Sequence, residues 1–434
     1  MAVASPATVS RCGMVYMEPT GIISPLVKSW LDHLHKTFSD LRKPLQLYFD
    51  LMLDPCIQFI RKNCAEPVPS VDNNLAASLM RILDCIFAPF IPLEGVARTE
   101  DNENTLANII AHIEPIFLMA LVWSVGATTD RDGRRKFSTY LRALMNECGC
   151  KEMPPANGLV YDWMYDYTTT QKWIPWMDSV PAYKFDDRLS FNEIIVPTQD
   201  SVRYTYLLDL LVKQAKHVLY TGNTGTGKTV NAYNYLANLP NDLTPINIIF
   251  SAATTANQTE DMLFSKMQKR RQRVFGPPLG KRFVIFIDDL NLPKREKYGA
   301  QPPIELLRQW MDYGGWFDRK TLQFVEIVDV SFIGAQGPPG GGRNPVTARF
   351  LRHFNQIAHT DLESDSLNLI FDTIVDNSLT KFTQDVRDLA KPIVQATIAV
   401  YQKVSAGLLP TPSRSHYTSV ETHTMRRPNE QARR

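Results

Sequence analysis

The segment Gly222-Asn223-Thr224-Gly225-Thr226-Gly227-Lys228-Thr229 has the pattern of a phosphate-binding loop: glycine, four residues, glycine, lysine, then a hydroxyl residue. Glycines let successive backbone N–H groups converge on an anion with no Cβ in the way. A helix beginning near Lys228 would aim its positive end at the same anion. Lys228 would reach the β- and γ-phosphates of a nucleotide, and the Thr229 hydroxyl would ligate Mg²⁺. A glycine-rich hairpin is the alternative. The apolar run before the loop and the helical pattern after it favour the phosphate site.

Further on, Phe283-Val284-Ile285-Phe286-Ile287-Asp288-Asp289 is an apolar run ending in two carboxylates. That is the second half of such a site. Asp288 would hold Mg²⁺ through water, and Asp289 would stand where a base polarises the attacking water. Many such sites carry Glu at the second position. Asp is one methylene shorter, which sets its carboxylate back by about 1.5 Å, and a misplacement of about 1 Å can cost ~100-fold in rate. The residues therefore predict nucleotide binding with slow or no hydrolysis. Three other features stay open. Residues 337–344 (Gly-Pro-Pro-Gly-Gly-Gly-Arg-Asn) could sense nucleotide or simply turn the chain. Arg349 and Arg352 could be arginine fingers for a neighbouring subunit or a solvated face. Lys269, Arg270, Arg271 and Arg273 read as a solvated helix face before they read as a nucleic-acid contact.

These residues need a scaffold, and the period of the sequence supplies one. From about residue 200, short apolar runs (217–220, 246–250, 283–287, 325–332 and 354–358) alternate with helical stretches, one of them over 229–239. That alternation predicts an α/β architecture with a mostly parallel buried sheet. Residues 25–150 read as mainly α-helical. Val27, Trp30, Leu31, Leu34 and Phe38 recur at helical spacing, as do Leu106, Ile109, Ile110, Ile113, Ile116 and Phe117. Residues 1–24 read as the end of a preceding unit, and Ala7 to Tyr16 have a β-branched character with no partner strand close by. Residues 151–200, with Trp163, Tyr165, Tyr167, Trp173 and Trp176, read as an extended connector packed on a neighbouring surface. An aromatic platform for nucleic acid would want an interleaved basic stripe. Residues 361–403 return to helix, with Leu367, Ile370, Phe371 and Ile374 on one face. Residues 419–434 carry no core pattern and read as disordered.

Composition sets the bounds. With 434 residues, 44% hydrophobic and 21% charged, the chain can build a sizeable core. Lys and Arg number 47 against 45 Asp and Glu, a balance that gives no reason to expect nucleic acid or an anionic membrane as partner. The six cysteines fall within the first 150 residues, and Cys148-Gly149-Cys150 has no His or Cys pair nearby at ligand spacing, so free thiols are expected. The first residues lack the basic start and long apolar run of a secretory leader. The apolar stretch 116–125 is short of the about 20 residues that cross a bilayer, and reads as a buried helix. A soluble, intracellular protein is expected.

Together the motifs make the sequence recognisable. It resembles the dynein heavy-chain family, in its third AAA+ module with the tail of the second. The residues that carry the resemblance are the loop 222–229, Phe286-Ile287-Asp288-Asp289-Leu290-Asn291-Leu292-Pro293, Trp316-Phe317-Asp318-Arg319, the 337–344 segment, Arg349-Phe350-Leu351-Arg352-His353, and Ser5 through Tyr16. The wording around Asp288 and Trp316 is closer to axonemal than to cytoplasmic heavy chains. The resemblance implies an α/β P-loop AAA+ module, a parallel sheet flanked by helices, preceded by a mainly α-helical subdomain. It divides the chain into the end of the preceding large subdomain (1–24), that module's helical small subdomain (25–150), a connector (151–200), the P-loop large subdomain (201–360), a partial helical small subdomain (361–418) and a non-matching tail (419–434). It puts Ile195, Val196 and Pro197 near the adenine. It makes Arg11 the finger offered by the second module to the first module's site, and Arg352 the equivalent finger aimed at the second module's nucleotide. ATP or ADP with Mg²⁺ is the implied cofactor. The implied partners are the remaining AAA+ modules of the ring and the intermediate and light chains, with microtubules reached only through regions not in this sequence. Membrane and nucleic acid are not expected.

The same resemblance implies a place in the cytoplasm and cytoskeleton, at the axoneme of a cilium or flagellum. It implies a regulatory nucleotide site in an ATP-driven motor. An independent P-loop ATPase or transferase, or a non-catalytic nucleotide-binding scaffold, are the alternatives. Three departures stand out. Pro is usual where Asn223 stands, the sensing Asn of a working site falls at or near Gly337, and the family pattern stops after Thr418. The last suggests a truncated or alternatively ended product.

Overall fold

The computed structural model describes residues 5–11, 13, 22–91, 100–181, 183, 194–319, 321–380 and 382–407. Its centre is a five-stranded, fully parallel sheet in the order Phe354–Ala358, His217–Thr221, Val330–Gln336, Arg282–Asp288, Leu243–Ile249. The first strand in sequence, His217–Thr221, therefore sits between the last two, and the strand order reverses beside it. In open α/β sheets a ligand crevice forms at the carboxyl ends of the strands at such a reversal. The three middle strands have no exposed face, and Val330–Gln336 is buried at every position. That fits their continuous apolar sequence.

Helices before the sheet provide the cover for one of its faces. Asp72–Phe87 buries Leu75, Leu79, Ile82, Leu83 and Ile86, a stripe at helical spacing. Ile113–Ser124 is buried at every position except Glu114, as expected of a helix that is apolar nearly all round. No single helix among the described residues is long and apolar enough to cross a membrane. Arg131–Glu147 starts at Asp130, whose carboxylate accepts the Gly133 N–H at 2.7 Å. One hydrophobic cluster runs from these helices into the sheet through Val218, Tyr220, Phe286, Ile333 and Ile357. The opposite face packs Leu219, Ile285, Ile287, Leu307 and Phe350.

The aromatic stretch after residue 150 forms a hairpin, Trp163–Asp166 paired antiparallel with Lys172–Pro175. Trp176, Tyr161 and Tyr165 are fully buried, so they are core rather than a platform for bases. Trp176 donates its indole N–H to the Tyr161 carbonyl at 2.8 Å and meets Trp123 edge-on.

Two expectations need correction. The run 325–332 is two strands in two sheets. Phe324–Ile327 joins a small four-stranded sheet with Gln268–Arg271, Val274–Gly276 and Gly315–Phe317, while Val330–Gln336 enters the main one. Asp329, at φ +56°, turns the backbone between them. The basic run at 269–273 is a strand and turn of that small sheet, not a helix face, and Arg273 occupies the left-handed region at φ +61°. Near the start, Pro6–Ser10 is helical. Cys12, most of 14–24 and the tail 419–434 lie outside the described residues. The chain after the sheet forms the helices Ser364–Ser378 and Ala390–Gly407, joined by a small cluster of Leu367, Val394 and Ile398.

Candidate functional site

The loop 222–229 leaves the carboxyl end of the strand His217–Thr221 and runs straight into the helix Lys228–Ala237. Two glycines show why the sequence needs them. Gly222 is at φ +142°, and a Cβ there would stand 2.4 Å from the His359 carbonyl oxygen. Gly227, immediately before the helix, is left-handed at φ +80°. Thr226 closes the loop by donating its hydroxyl to the Asn223 carbonyl at 3.0 Å. Lys228 folds back over it, donating Nζ–H to the carbonyls of Gly222 (3.0 Å) and Asn223 (2.5 Å) and to Thr226 Oγ1 (3.3 Å). Burial, helped by the nearby Arg343, lowers the Lys228 pKa to about 8, against the pull of Asp288, Asp289 and Asp361.

The strand Arg282–Asp288, separated from His217–Thr221 by Val330–Gln336, ends level with this loop. Thr229 donates its hydroxyl to Asp288 Oδ2 at 2.9 Å, and the Asp289 N–H is held by Asp288 Oδ1 at 2.9 Å. Burial raises the Asp288 pKa, which the hydroxyl and amide donors partly offset. Asp289 sits in the left-handed region at φ +51°, a conformation Asp tolerates better than most residues. Its carboxylate faces the Arg343 guanidinium at 3.4 Å.

Arg343, Gln336 and His359 are the residues that motif reading did not single out. Arg343 belongs to the 337–344 segment, and its approach depends on Gly337. A Cβ on Gly337 would stand 2.8 Å from Arg343 Cδ and Nε. The position where a sensing Asn was expected is thus space for an arginine side chain. Gln336, at the end of its strand, is buried with Oε1 unpartnered among the described residues, and it lines the same cavity. The paired glycines and prolines at 337–342 were the one sequence signal pointing this way.

The cavity has a volume of about 560 Å³. One end is lined by Thr224 to Thr229, Asp288, Asp289, Gln336 and Arg343, and the other by Ile195, Val196, Leu362, Leu367, Ile370 and Phe371. A charged end and an apolar end in one crevice suit a polyphosphate carrying a flat apolar ring. The apolar wall is set by Thr198, which caps the helix Gln199–Lys213 in a reciprocal pair with Ser201 and fixes the extended residues before it. Of the three residues expected beside the ring, Ile195 and Val196 line the cavity and Pro197 does not. Gly222 and Asn223 shape the loop without lining the cavity. Arg11 lies in an exposed turn, outside this cavity. Arg352 is also outside it, exposed and donating to Asp312 at 2.5 Å. Among the described residues no cluster of His, Cys, Asp and Glu has the form of a metal site. A metal here would rely on one hydroxyl and one carboxylate, the Thr229–Asp288 pair, with its remaining ligands from elsewhere.

Comparison with known proteins agrees with this geometry. A family model described as "P-loop containing dynein motor region" matches residues 183–362, and one described as "Dynein heavy chain AAA lid domain" matches residues 45–178. The human protein named dynein axonemal heavy chain 1 is 43% identical over 96% of this chain. Rat dynein axonemal heavy chain 12 is 40% identical over 96%, and human dynein axonemal heavy chain 3 is 39% identical over 95%. The chain spans only 10%, 14% and 10% of the length of these relatives. The loop, the paired acidic strand end and the helical lid thus sit in matched segments, and the chain belongs to the dynein heavy-chain family, with a P-loop AAA+ motor module like those of its axonemal members.

Proposed function

We propose that the crevice between the 222–229 loop and the helix Ser364–Ser378 holds Mg·ATP or Mg·ADP. The Thr229 hydroxyl on Asp288 at 2.9 Å, beside a lysine whose ammonium group is partly desolvated, is the observation that carries this reading. The backbone N–H groups of 224–229 and Lys228 bind the phosphates, Thr229 and Asp288 hold the metal, and Ile195, Val196 and Phe371 enclose the base. A bound Mg²⁺ supplies neutralisation of phosphate charge. Asp289 is the group placed to orient water, and its pairing with Arg343 draws it away from that task, which supports slow turnover.

Such a site serves as a nucleotide-dependent switch. Within a complete heavy chain it regulates ATP-driven, microtubule-based movement of a cilium or flagellum, with neighbouring AAA+ modules and the intermediate and light chains as partners. The exposed Leu389, Ile393 and Val400 near and on the helix Ala390–Gly407 fit packing by a neighbouring module. The exposed Arg352 and Arg11 fit fingers directed at other modules' sites. The division of the chain into 1–24, 25–150, 151–200, 201–360, 361–418 and 419–434 belongs to the same reading.

The test is a titration of fluorescent ADP with Mg²⁺, repeated with Lys228→Ala, alongside phosphate release. Saturable Mg²⁺-dependent binding, lost in the variant, with release close to the variant's background supports a regulatory site. Release far above that background without any partner would identify an independent ATPase instead.

A further inference from the structure

Beneath the phosphate loop lies a buried polar stack that the nucleotide reading does not use. His359 directly follows the strand Phe354–Ala358 and is 2% exposed. Its ring stacks on Tyr204 with centroids 4.0 Å apart, and Nδ1 is 3.3 Å from the Thr226 carbonyl oxygen. A carbonyl only accepts, so Nδ1 carries the hydrogen. Nε2 is then a bare lone pair, in agreement with its lack of a partner among the described residues. Burial, reinforced by Lys228, keeps this imidazole neutral. The other side of the stack is Arg134, 2% exposed, on the helix Arg131–Glu147. Its guanidinium donates to the Ala358 carbonyl at 2.5 Å and to Tyr204 Oη at 3.1 Å, and it lies over the Tyr204, Tyr161 and Trp123 rings.

We propose that His359 is a positioning residue for the phosphate loop, and that Arg134 of the N-terminal helical region sets it in place. A trans peptide holds its C=O and N–H on opposite sides. Anchoring the Thr226 carbonyl on His359 turns the Gly227 N–H away from His359, to the side on which an anion would be bound. Without the anchor the Thr226–Gly227 peptide, already beside a left-handed glycine, is free to rotate and that donor is lost. Arg134 fixes the Ala358 carbonyl and the Tyr204 ring, two of the groups that locate the imidazole, alongside the Tyr220 ring edge-on at 4.3 Å and the His359 N–H donating to the Thr221 carbonyl at 2.7 Å. The position of the helical region is thereby transmitted to one phosphate-facing amide, through a continuous chain of contacts.

This inference rests on the nucleotide reading above, and the experiment separates the two. Affinity for fluorescent Mg·ADP is measured on the full chain, with Lys228→Ala as the reference for a lost site. His359→Phe keeps the stack and removes the donor. A net hydrogen bond's contribution corresponds to an affinity about three- to tenfold weaker. His359→Asn returns a donor at the δ position and restores affinity to within about twofold of the wild type. Arg134→Met weakens binding in the same direction, and combined with His359→Phe it adds less than the sum, because both act on one contact. Independently of any variant, ¹⁵N spectra of the imidazole in the wild-type chain should show the Nδ1–H tautomer. An Nε2–H tautomer, or His359→Phe binding as well as wild type while Lys228→Ala does not bind, overturns the inference and leaves the nucleotide site intact. Failure of the wild-type chain itself to bind Mg·ADP overturns the reading beneath it.

Discussion

Raising the pH should weaken nucleotide binding through one residue. Lys228 has its pKa lowered to about 8 in the free protein, chiefly by burial and then by Arg343. A bound polyphosphate pulls it back up, since an opposite charge favours the ammonium form. Above the free pKa, binding must therefore take up a proton, and affinity falls as pH rises until the pKa of the bound state is reached. With a free pKa of about 8, the ammonium fraction is about 90% at pH 7 and about 10% at pH 9, a roughly tenfold loss in affinity or ~1.4 kcal/mol. Phosphate groups, with a second pKa near 6, carry full charge across this range and do not confuse the profile. The assay is the dissociation constant for fluorescent Mg·ADP at intervals between pH 7 and 9.5. Lys228→Arg stays charged throughout and should give a flat profile whatever its absolute affinity. Arg343→Ala removes a repelling charge, so its profile should break at higher pH than the wild type. A flat wild-type profile, or the same slope in Lys228→Arg, would refute the reasoning.

Other expectations follow from single contacts. Thr229→Val strips the hydroxyl from a half-buried carboxylate. It should lower stability by about 1.5–3 kcal/mol by urea unfolding and abolish the Mg²⁺ dependence of ADP binding, whereas unchanged Mg²⁺ dependence would separate Thr229 from the metal. Gly222→Ala places a methyl 2.4 Å from the His359 carbonyl at φ +142° and should eliminate ADP binding while circular dichroism stays near wild type; retained affinity would show that the loop can move aside. Trp176→Ala empties a fully buried site and orphans the Tyr161 carbonyl, with an expected loss of about 3–5 kcal/mol in chemical denaturation; a loss under about 1 kcal/mol would place the aromatic segment outside the core.

The loop, its flanking strand and helix, and the paired carboxylates were legible because their chemistry is local. The 222–229 spacing fixes the backbone path within eight consecutive residues, and the apolar run before Asp288 can only be a buried strand. Thr229 and Asp288 could be paired before their distance was known, since two such motifs in that order imply strand ends on the same side of one sheet, although the insertion of Val330–Gln336 between the two strands was not foreseen. What was not legible depends on contacts distant in sequence. Arg343 reaches Asp289 only because Gly337 lacks a side chain, and nothing in either residue alone announces that. His359 is a single histidine after a strand, and its meaning comes from Tyr204, which stacks on it, and from Arg134 on a different helix, which holds Tyr204 and the Ala358 carbonyl. The run 325–332 looked like one strand because the alternation of Val, Ile and Phe survives across Asp329, whose left-handed turn leaves no hydropathy signature. The basic 269–273 segment misled for a related reason: strands of three and four residues are too short to show a period of two against a period of 3.6.

The central claim is that the backbone of 224–229 wraps a polyphosphate while Thr229 and Asp288 share a metal. The most direct test is a crystal structure of the chain grown with Mg·ADP. The account predicts the diphosphate against the Gly225 to Thr229 amides, a metal beside Thr229 Oγ1 and Asp288, and the base between Val196 and Phe371. A diphosphate bound elsewhere, or a loop that contacts none of it, would contradict the account.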